Sequence, residues 1–242
     1  MPTYSTLDEL NEVTIACRKC PRLTAWREQM ARQKRKAYRD WDYWGRPVPG
    51  FGDPAAQVWV VGLAPGAHGS NRTGRNFTGD ASGDFLYPAL YRAGFASQPV
   101  AVSRDDGLAL HNLYLSAACR CVPPDNKPSP DELANCFSYL LEEFRLLQNL
   151  RGIVALGRVA FDSVLRLFQA QGLYRAQGLY RTQEGHSHKL KFAHNRLYRF
   201  ESGLPWLLAS YHPSRQNTQT GRLTVEMFDA VWQQARTLCD RG

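Results

Sequence analysis

The chain has 242 residues, 43% of them hydrophobic, enough for one core that buries roughly 70% of the unfolded surface, and no break in composition divides it. One domain over residues 1–242 is therefore expected, and the net charge of +8, from 30 Lys and Arg against 22 Asp and Glu, points to a polyanionic partner, nucleic acid before membrane. No apolar stretch approaches the roughly 20 residues that span a bilayer, and the polar N-terminus lacks a signal peptide's apolar centre, so a cytoplasmic monomer without a membrane span is the expectation.

In chain order, Thr6 and Glu9 make a capping-box pattern ahead of Leu7, Leu10, Val13 and Ala16, which predicts a helix running into Cys17-Arg-Lys-Cys20-Pro, where it breaks. Residues 22–46 interleave Arg22, Arg27, Arg32, Lys34, Arg35, Lys36, Arg39 and Arg46 with Trp26, Tyr38, Trp41, Tyr43 and Trp44. That mixture suits phosphate contact plus stacking, and equally a solvated helix whose aromatic tail packs on the body. After the turn-rich residues 47–54, the run 57–61 reads as a buried strand that empties into the loop 62–80.

This loop is the first place to look for chemistry, because parallel α/β sheets bind ligands at the carboxyl ends of their strands. It holds five glycines, two arginines, a histidine, Phe77 and a terminal Asp80, so backbone can approach a ligand closely while a few side chains point at it. It is no Walker loop, since the frame from Gly69 to Gly74 continues into Arg75-Asn76, and it contains no G-x-G-x-x-G.

Further on, a helix is predicted from Asp84 to Ala93, closed by Gly94, with Pro88 tolerable only near its first turn. Residues 110–115 read as a strand, and Cys119 to Pro128 as a second loop at a strand end. Ser129-Pro-Asp-Glu132 starts a helix to about Leu147 that carries Cys136. A strand at 152–157, a helix through about Phe168, a strand at 205–210 and a helix over about 223–238 complete the alternation. The expected architecture is a central, mainly parallel sheet covered by helices. An exact tandem hexapeptide at 170–181 reads as a local duplication, and the stretch holding His186, His188 and His194 as a surface loop or hairpin without the helical spacing of a metal site.

Six cysteines in such a chain favour metal ligation over disulfides. Cys17 and Cys20, together with Cys136 and either Cys119 or Cys121, supply four thiolates, a count that suits tetrahedral zinc or an iron–sulfur cluster. Spacing does not choose between Cys119 and Cys121.

Five stretches together resemble the family 5 uracil-DNA glycosylases, the iron–sulfur group related to family 4. They are Cys17-Arg-Lys-Cys20-Pro-Arg-Leu, Gly62-Leu-Ala-Pro-Gly-Ala-His-Gly-Ser-Asn-Arg-Thr-Gly-Arg75, Phe77-Thr-Gly-Asp80, Cys121-Val-Pro-Pro-Asp-Asn126-Lys-Pro and Tyr211-His-Pro-Ser-Arg-Gln-Asn-Thr-Gln-Thr-Gly-Arg222. The resemblance spans about residues 5 to 238. It implies a three-layer α/β/α sandwich with a central parallel four-stranded sheet, and a [4Fe-4S] cluster on Cys17, Cys20, Cys121 and Cys136 that ties in the N-terminal segment. It also implies an enzyme that flips uracil, and other deaminated or damaged bases such as hypoxanthine, out of DNA and hydrolyses the N-glycosidic bond, initiating base excision repair. The apolar Leu63, where family 4 carries an acid, is typical of family 5 and moves the search for a catalytic acid elsewhere.

Glycosidic cleavage develops positive charge on the sugar and negative charge on the departing base, so it calls for an anion near one and hydrogen-bond donors near the other. The resemblance and the chemistry together nominate Asp80 as the anion, His212 as donor to a base carbonyl and Asn126 as a group reading a base edge. Gly66 and Phe77 are expected to line the base slot, Phe77 by stacking worth about 1 to 3 kcal/mol. Arg75, Ser214, Arg215, Gln216 and Arg222 are the candidate DNA contacts.

Overall fold

A computed structural model of the chain describes residues 4–171, 179–181, 187–200 and 204–240, with the backbone alone at 179–181 and 187–189. Most of the duplicated hexapeptide, and His186, lie outside the described residues. The elements in order are α1 (Leu7–Ile15), α2 (Pro21–Gln33), β1 (Phe51–Gly52), β2 (Val58–Gly62), α3 (Ser70–Thr73), α4 (Gly83–Arg92), β3 (Leu113–Ala117), α5 (Pro130–Leu146), β4 (Gly152–Leu156), α6 (Arg158–Ala170), β5 (Leu179–Arg181), β6 (Ser187–Lys189), β7 (Arg196–Tyr198), β8 (Trp206–Ser210), α7 (Arg215–Gln219) and α8 (Val225–Asp240).

Strands β3, β2, β4 and β8 run parallel as the expected four-stranded centre. The sheet nevertheless has six strands, ordered β1-β3-β2-β4-β8-β7, because each edge of that centre is met by a short antiparallel strand. Short edge strands satisfy the outer row of backbone groups without offering a long template for pairing. β5 and β6 form a separate antiparallel pair, in agreement with the expected hairpin.

Side chains alternate across each central strand, so both faces of the sheet carry a core. Val58, Val60, Leu113, Leu115, Val154, Leu156 and Leu208 lie under α4 and α8, against Leu86, Leu90, Phe228 and Trp232. Trp59, Val61, Tyr114, Ile153, Ala155, Leu207 and Ala209 face the other way, against Leu140, Phe161, Val164 and Phe168 of α5 and α6. The three layers follow from this period-2 pattern. One polar chain crosses the second core: Trp59 Nε1 donates to Ser116 Oγ at 2.9 Å, Ser116 Oγ donates to Glu143 at 2.8 Å, and Arg120 pairs with the same carboxylate.

Local signals translate with small shifts. Thr6 Oγ1 accepts from Glu9 N, but the Glu9 carboxylate returns to Ser5 N, one residue earlier than a closed capping box requires. At α5 the Ser129/Glu132 box closes in both directions. Pro88 sits in the second turn of α4, where it leaves the Asp84 carbonyl without the usual intrahelical donor. No helix among the described residues is long and apolar enough to cross a membrane.

Candidate active site

The loop after β2 turns through the short helix α3, which Gly74 closes in the left-handed region at φ +78°. Asp80 ends the loop and begins α4: its Oδ1 accepts from Ser82 N at 3.0 Å and Gly83 N at 3.1 Å. The aspartate is thus a helix cap, and the positive end of α4 holds its position. The second oxygen, Oδ2, faces Gly66 and Gly69. A Cβ at Gly66 would lie 2.9 Å from Oδ2, and one at Gly69 only 1.9 Å from it. These two glycines are bare because the carboxylate occupies the space a side chain would need. Burial in this niche raises the Asp80 carboxyl above its usual range, against the lowering by the two backbone donors and Arg72.

Phe77 adopts φ +53° on the same loop and is 7% exposed, its amide donating to Ser70 Oγ at 3.0 Å. A Cβ at Gly62 would come within 2.9 Å of its ring, so the last residue of β2 must be small. The loop after β8 meets this ring: the His212 imidazole stacks on Phe77 with ring centroids 5.6 Å apart and an interplanar angle of 29°. Burial pushes His212 down to about 4, so the imidazole is neutral near pH 7 and offers one N–H as a donor. The main chain here is held at two successive residues, by Asn217 Nδ2 on the His212 carbonyl at 2.8 Å and by His194 Nδ1, which accepts the Tyr211 N–H at 3.2 Å. His194 also stacks on Tyr211, so of the three histidines in that stretch this one is a brace.

The remaining candidates divide. Asn126 is exposed in a short turn with φ +55°, next to Asp125 at φ +52°, so the conformational reason for an asparagine is met while its amide has no hydrogen-bond partner among the described residues. Ser214 caps α7 through Asn217 N, and Arg215 and Gln216 are exposed on its first turn. Arg222 is exposed with its guanidinium 4.6 Å from the Tyr211 ring centre. Arg75 is different: it is 3% exposed and makes two bonds to Asp106, at 2.8 and 2.7 Å. Against the opposing effect of burial, Arg75 and three backbone amides hold Asp106 down to about 2. This guanidinium is committed inside the protein and does not face a phosphate. Ala64 packs against the cysteines, leaving Leu63 as the apolar residue at that part of the loop.

What the sequence reading left open is the brace around the loop. The Arg72 guanidinium lies between the rings of Tyr38 and Trp41, 4.0 and 4.1 Å from their centres, and donates to the carbonyls of His68 and Gly79 at 2.7 and 2.9 Å. Trp44 N and Gly45 N donate to the carbonyls of Arg72 and Asn71, Tyr43 Oη shares a 3.1 Å hydrogen bond with His68 Nδ1, and the Trp44 ring covers Gly74. The aromatic residues of 38–44 therefore pack on the body, the second of the two expectations for that segment. An arginine in a glycine-rich loop beside an isolated run of aromatics was the available signal.

Four thiols, those of Cys17, Cys20, Cys121 and Cys136, line one recess, together with Arg27, Arg120 and Asn135. Cys119 is buried beside them with its thiol on the Cys121 carbonyl at 3.4 Å. Every cysteine is a free thiol. Burial pushes Cys121 up to about 12 and raises Cys20, so a bare thiolate is disfavoured at these two, whereas a hydrogen bond with Cys119 lowers Cys136. Arg27 Nη1 nevertheless donates to Cys121 Sγ at 3.0 Å and Asn135 Nδ2 to Cys20 Sγ at 3.4 Å. Arg27 Nε and Arg120 Nε and Nη1 are buried without a hydrogen-bond partner among the described residues. Soft sulfur donors ringed by surplus buried N–H groups fit an iron–sulfur cluster, whose sulfur carries the negative charge such donors seek. Among the described residues the four thiols share this recess without being gathered around one point as the ligands of a single metal ion would be.

Comparison with known proteins extends these observations. The signature of the Uracil DNA glycosylase superfamily matches residues 49–236. The chain is 52% identical to a type-5 uracil-DNA glycosylase of Thermus thermophilus over 94% of its own length and 95% of that protein's. It is 42% identical to one from Pyrobaculum aerophilum over 94% and 91%, and 30% identical to a type-4 uracil-DNA glycosylase of the same organism over 66% and 65%. With the signature covering the sheet and the loops after β2, β3 and β8, and the type-5 relatives aligned almost end to end, the chain belongs to the uracil DNA glycosylase superfamily and to its type-5 group.

Proposed function

We propose that this protein hydrolyses the N-glycosidic bond between uracil and deoxyribose in DNA, leaving an abasic site that initiates base excision repair. The observation that carries this reading is an Asp80 oxygen seated against Gly66 and Gly69 on the loop after β2, together with a neutral His212 stacked on Phe77 from the loop after β8, in a type-5 chain. Asp80 Oδ2 stabilises the positive sugar and orients or accepts a proton from the attacking water. His212 donates to the base carbonyl as negative charge builds there. Phe77 is the apolar wall of the base slot, and the amide of Asn126 reads the base edge. Ser214, Arg215, Gln216 and Arg222 contact the DNA backbone or fill the gap left by the flipped base, whose extrusion costs a few kcal/mol.

An apolar Leu63 where no buried polar partner tests the base favours acceptance of further deaminated or damaged bases, hypoxanthine among them, because such a site rejects analogues weakly. Cys17, Cys20, Cys121 and Cys136 hold a [4Fe-4S] cluster in this reading. The chemistry the group supplies when bound is structural, a covalent tie between the residues before α2, the loop after β3 and α5. The protein then acts as one domain.

Duplex DNA with a single uracil, incubated with anaerobically purified protein and treated with alkali, is expected to be cut at the uracil by a brown protein. A folded, metal-replete protein that leaves the strand intact would overturn the reading, and a colourless one would point to zinc on the same thiols. Gly69→Ala offers a sharper test of the niche: a methyl group 1.9 Å from Oδ2 must push the carboxylate aside. Misplacement of about 1 Å costs on the order of 100-fold in rate. Single-turnover rates should show that loss while the circular dichroism spectrum is unchanged.

A further inference from the structure

The segment that joins α2 to β1 grips the loop of Asp80 with its aromatic residues through Arg72, His68 and Gly74, as described above. It also carries Arg35, Lys36 and Arg39, all exposed, and none of them forms an ion pair among the described residues. Two carboxylates, Asp40 and Asp42, are exposed on the same stretch and leave it net positive. The backbone that carries the cations is fixed: Arg35 N donates to Tyr43 Oη at 3.3 Å, and Lys34, at φ +44°, sends its Nζ back to the Arg39 carbonyl at 3.2 Å. Desolvation and then the charges of Arg35 and Arg72 lower the His68 imidazole, so Arg35 lies within electrostatic reach of the residue next to Gly69.

We propose that Arg35, Lys36 and Arg39 bind the sugar–phosphate backbone of DNA beside the extruded nucleotide, forming a second phosphate-contacting element apart from residues 214–222. The proposal rests on the glycosylase reading. Adjacent like charges repel one another, and a short connection would relieve that repulsion by moving apart; here the aromatic grip on Arg72 prevents it. The backbone is thereby ordered before DNA arrives, which leaves only the side chains to be fixed on binding. Each phosphate engaged releases condensed counterions, so the contact has a thermodynamic signature that packing lacks.

The test compares wild-type protein with the triple variant Arg35→Ala/Lys36→Ala/Arg39→Ala, binding a duplex that carries a non-hydrolysable abasic analogue, by fluorescence anisotropy over a salt series. The Arg35 contact within the protein comes from its main-chain N–H, so alanine keeps it. The slope of log K against log salt should become shallower by about 2 to 3, roughly one for each phosphate no longer engaged, with affinity at low salt down on the order of tenfold. The single-turnover rate at saturating uracil-DNA should stay within about twofold of wild type. A variant with Arg35→Lys/Arg39→Lys should keep the wild-type slope. An unchanged slope in the triple variant, or a slope change accompanied by a collapse of the saturated rate, would overturn the proposal, the latter by showing that the cations merely support the loop. Wild-type protein that neither binds nor cuts uracil-DNA would instead sink the glycosylase reading itself, whatever the variant does.

Discussion

Asp80→Asn should lower the rate of uracil release by about 100- to 10,000-fold, the usual range for removing a positioned base, while leaving the protein at least as stable as before. The two halves of that result have one cause. The wild-type carboxyl is raised above its usual value by burial, so the folded state binds its proton more tightly than the unfolded chain does. A group with a raised folded pKa adds stability below its unfolded value and loses it as the pH climbs through the folded value; near pH 7 the charged Asp80 therefore costs the fold something. Asparagine removes the charge and keeps an oxygen for the Ser82 and Gly83 amides that cap α4. Active sites that trade stability for reactivity behave in this way. Single-turnover assays with a thermal melt on the same preparations would show it. The wild-type rate should also rise with pH through an apparent value above that of an ordinary aspartate. Full activity in Asp80→Asn, or an activity loss that tracks a drop in melting temperature, would remove Asp80 from the chemistry.

His212→Ala should cost about 100- to 1,000-fold in the chemical step, the typical effect of removing one donor to a developing oxyanion. Because burial holds this imidazole down to about 4, it remains neutral through the range in which a free histidine titrates, and the wild-type rate should show no inflection near pH 6.5. Stability has its own signature. The folded pKa lies below the unfolded one, so the His212 contribution is fully present above about pH 6.5 and is lost as the pH falls toward 4. In His212→Ala that part of the acid-side decline should vanish. A variant with wild-type turnover would transfer the donor role to another group, and a rate profile breaking at pH 6.5 would show that the imidazole is not kept neutral.

The sheet was legible because each central strand is a short apolar run, most of them bounded by Gly or Pro, and period-2 alternation translates directly into two cores. Its edges were not: β1 is two residues and β7 three, too short to leave a pattern, and they exist because an open sheet edge needs partners. The site shows the same division. Asp80, Phe77 and His212 lie on the loops after β2 and β8, where residue type, position and the family resemblance together nominated them. Arg75 and Arg72 sit three residues apart in one loop, yet one is locked to Asp106 and the other gripped by Tyr38 and Trp41. Which arginine meets which partner depends on residues about 30 positions away, and no local pattern encodes that.

The brace also separates ancestry from working parts. The superfamily signature begins at residue 49, after Tyr38, Trp41 and Trp44 and after two of the four thiols in the recess. Arg27, which donates to Cys121 Sγ, accepts Asn71 Nδ2 on its own carbonyl at 3.2 Å, so a single residue of α2 touches both the cysteine recess and the loop that carries Asp80. A graft of residues 49–236 into another scaffold would carry the sheet, the aspartate and the histidine, and would arrive with the loop unclamped. The portable unit extends back to Cys17.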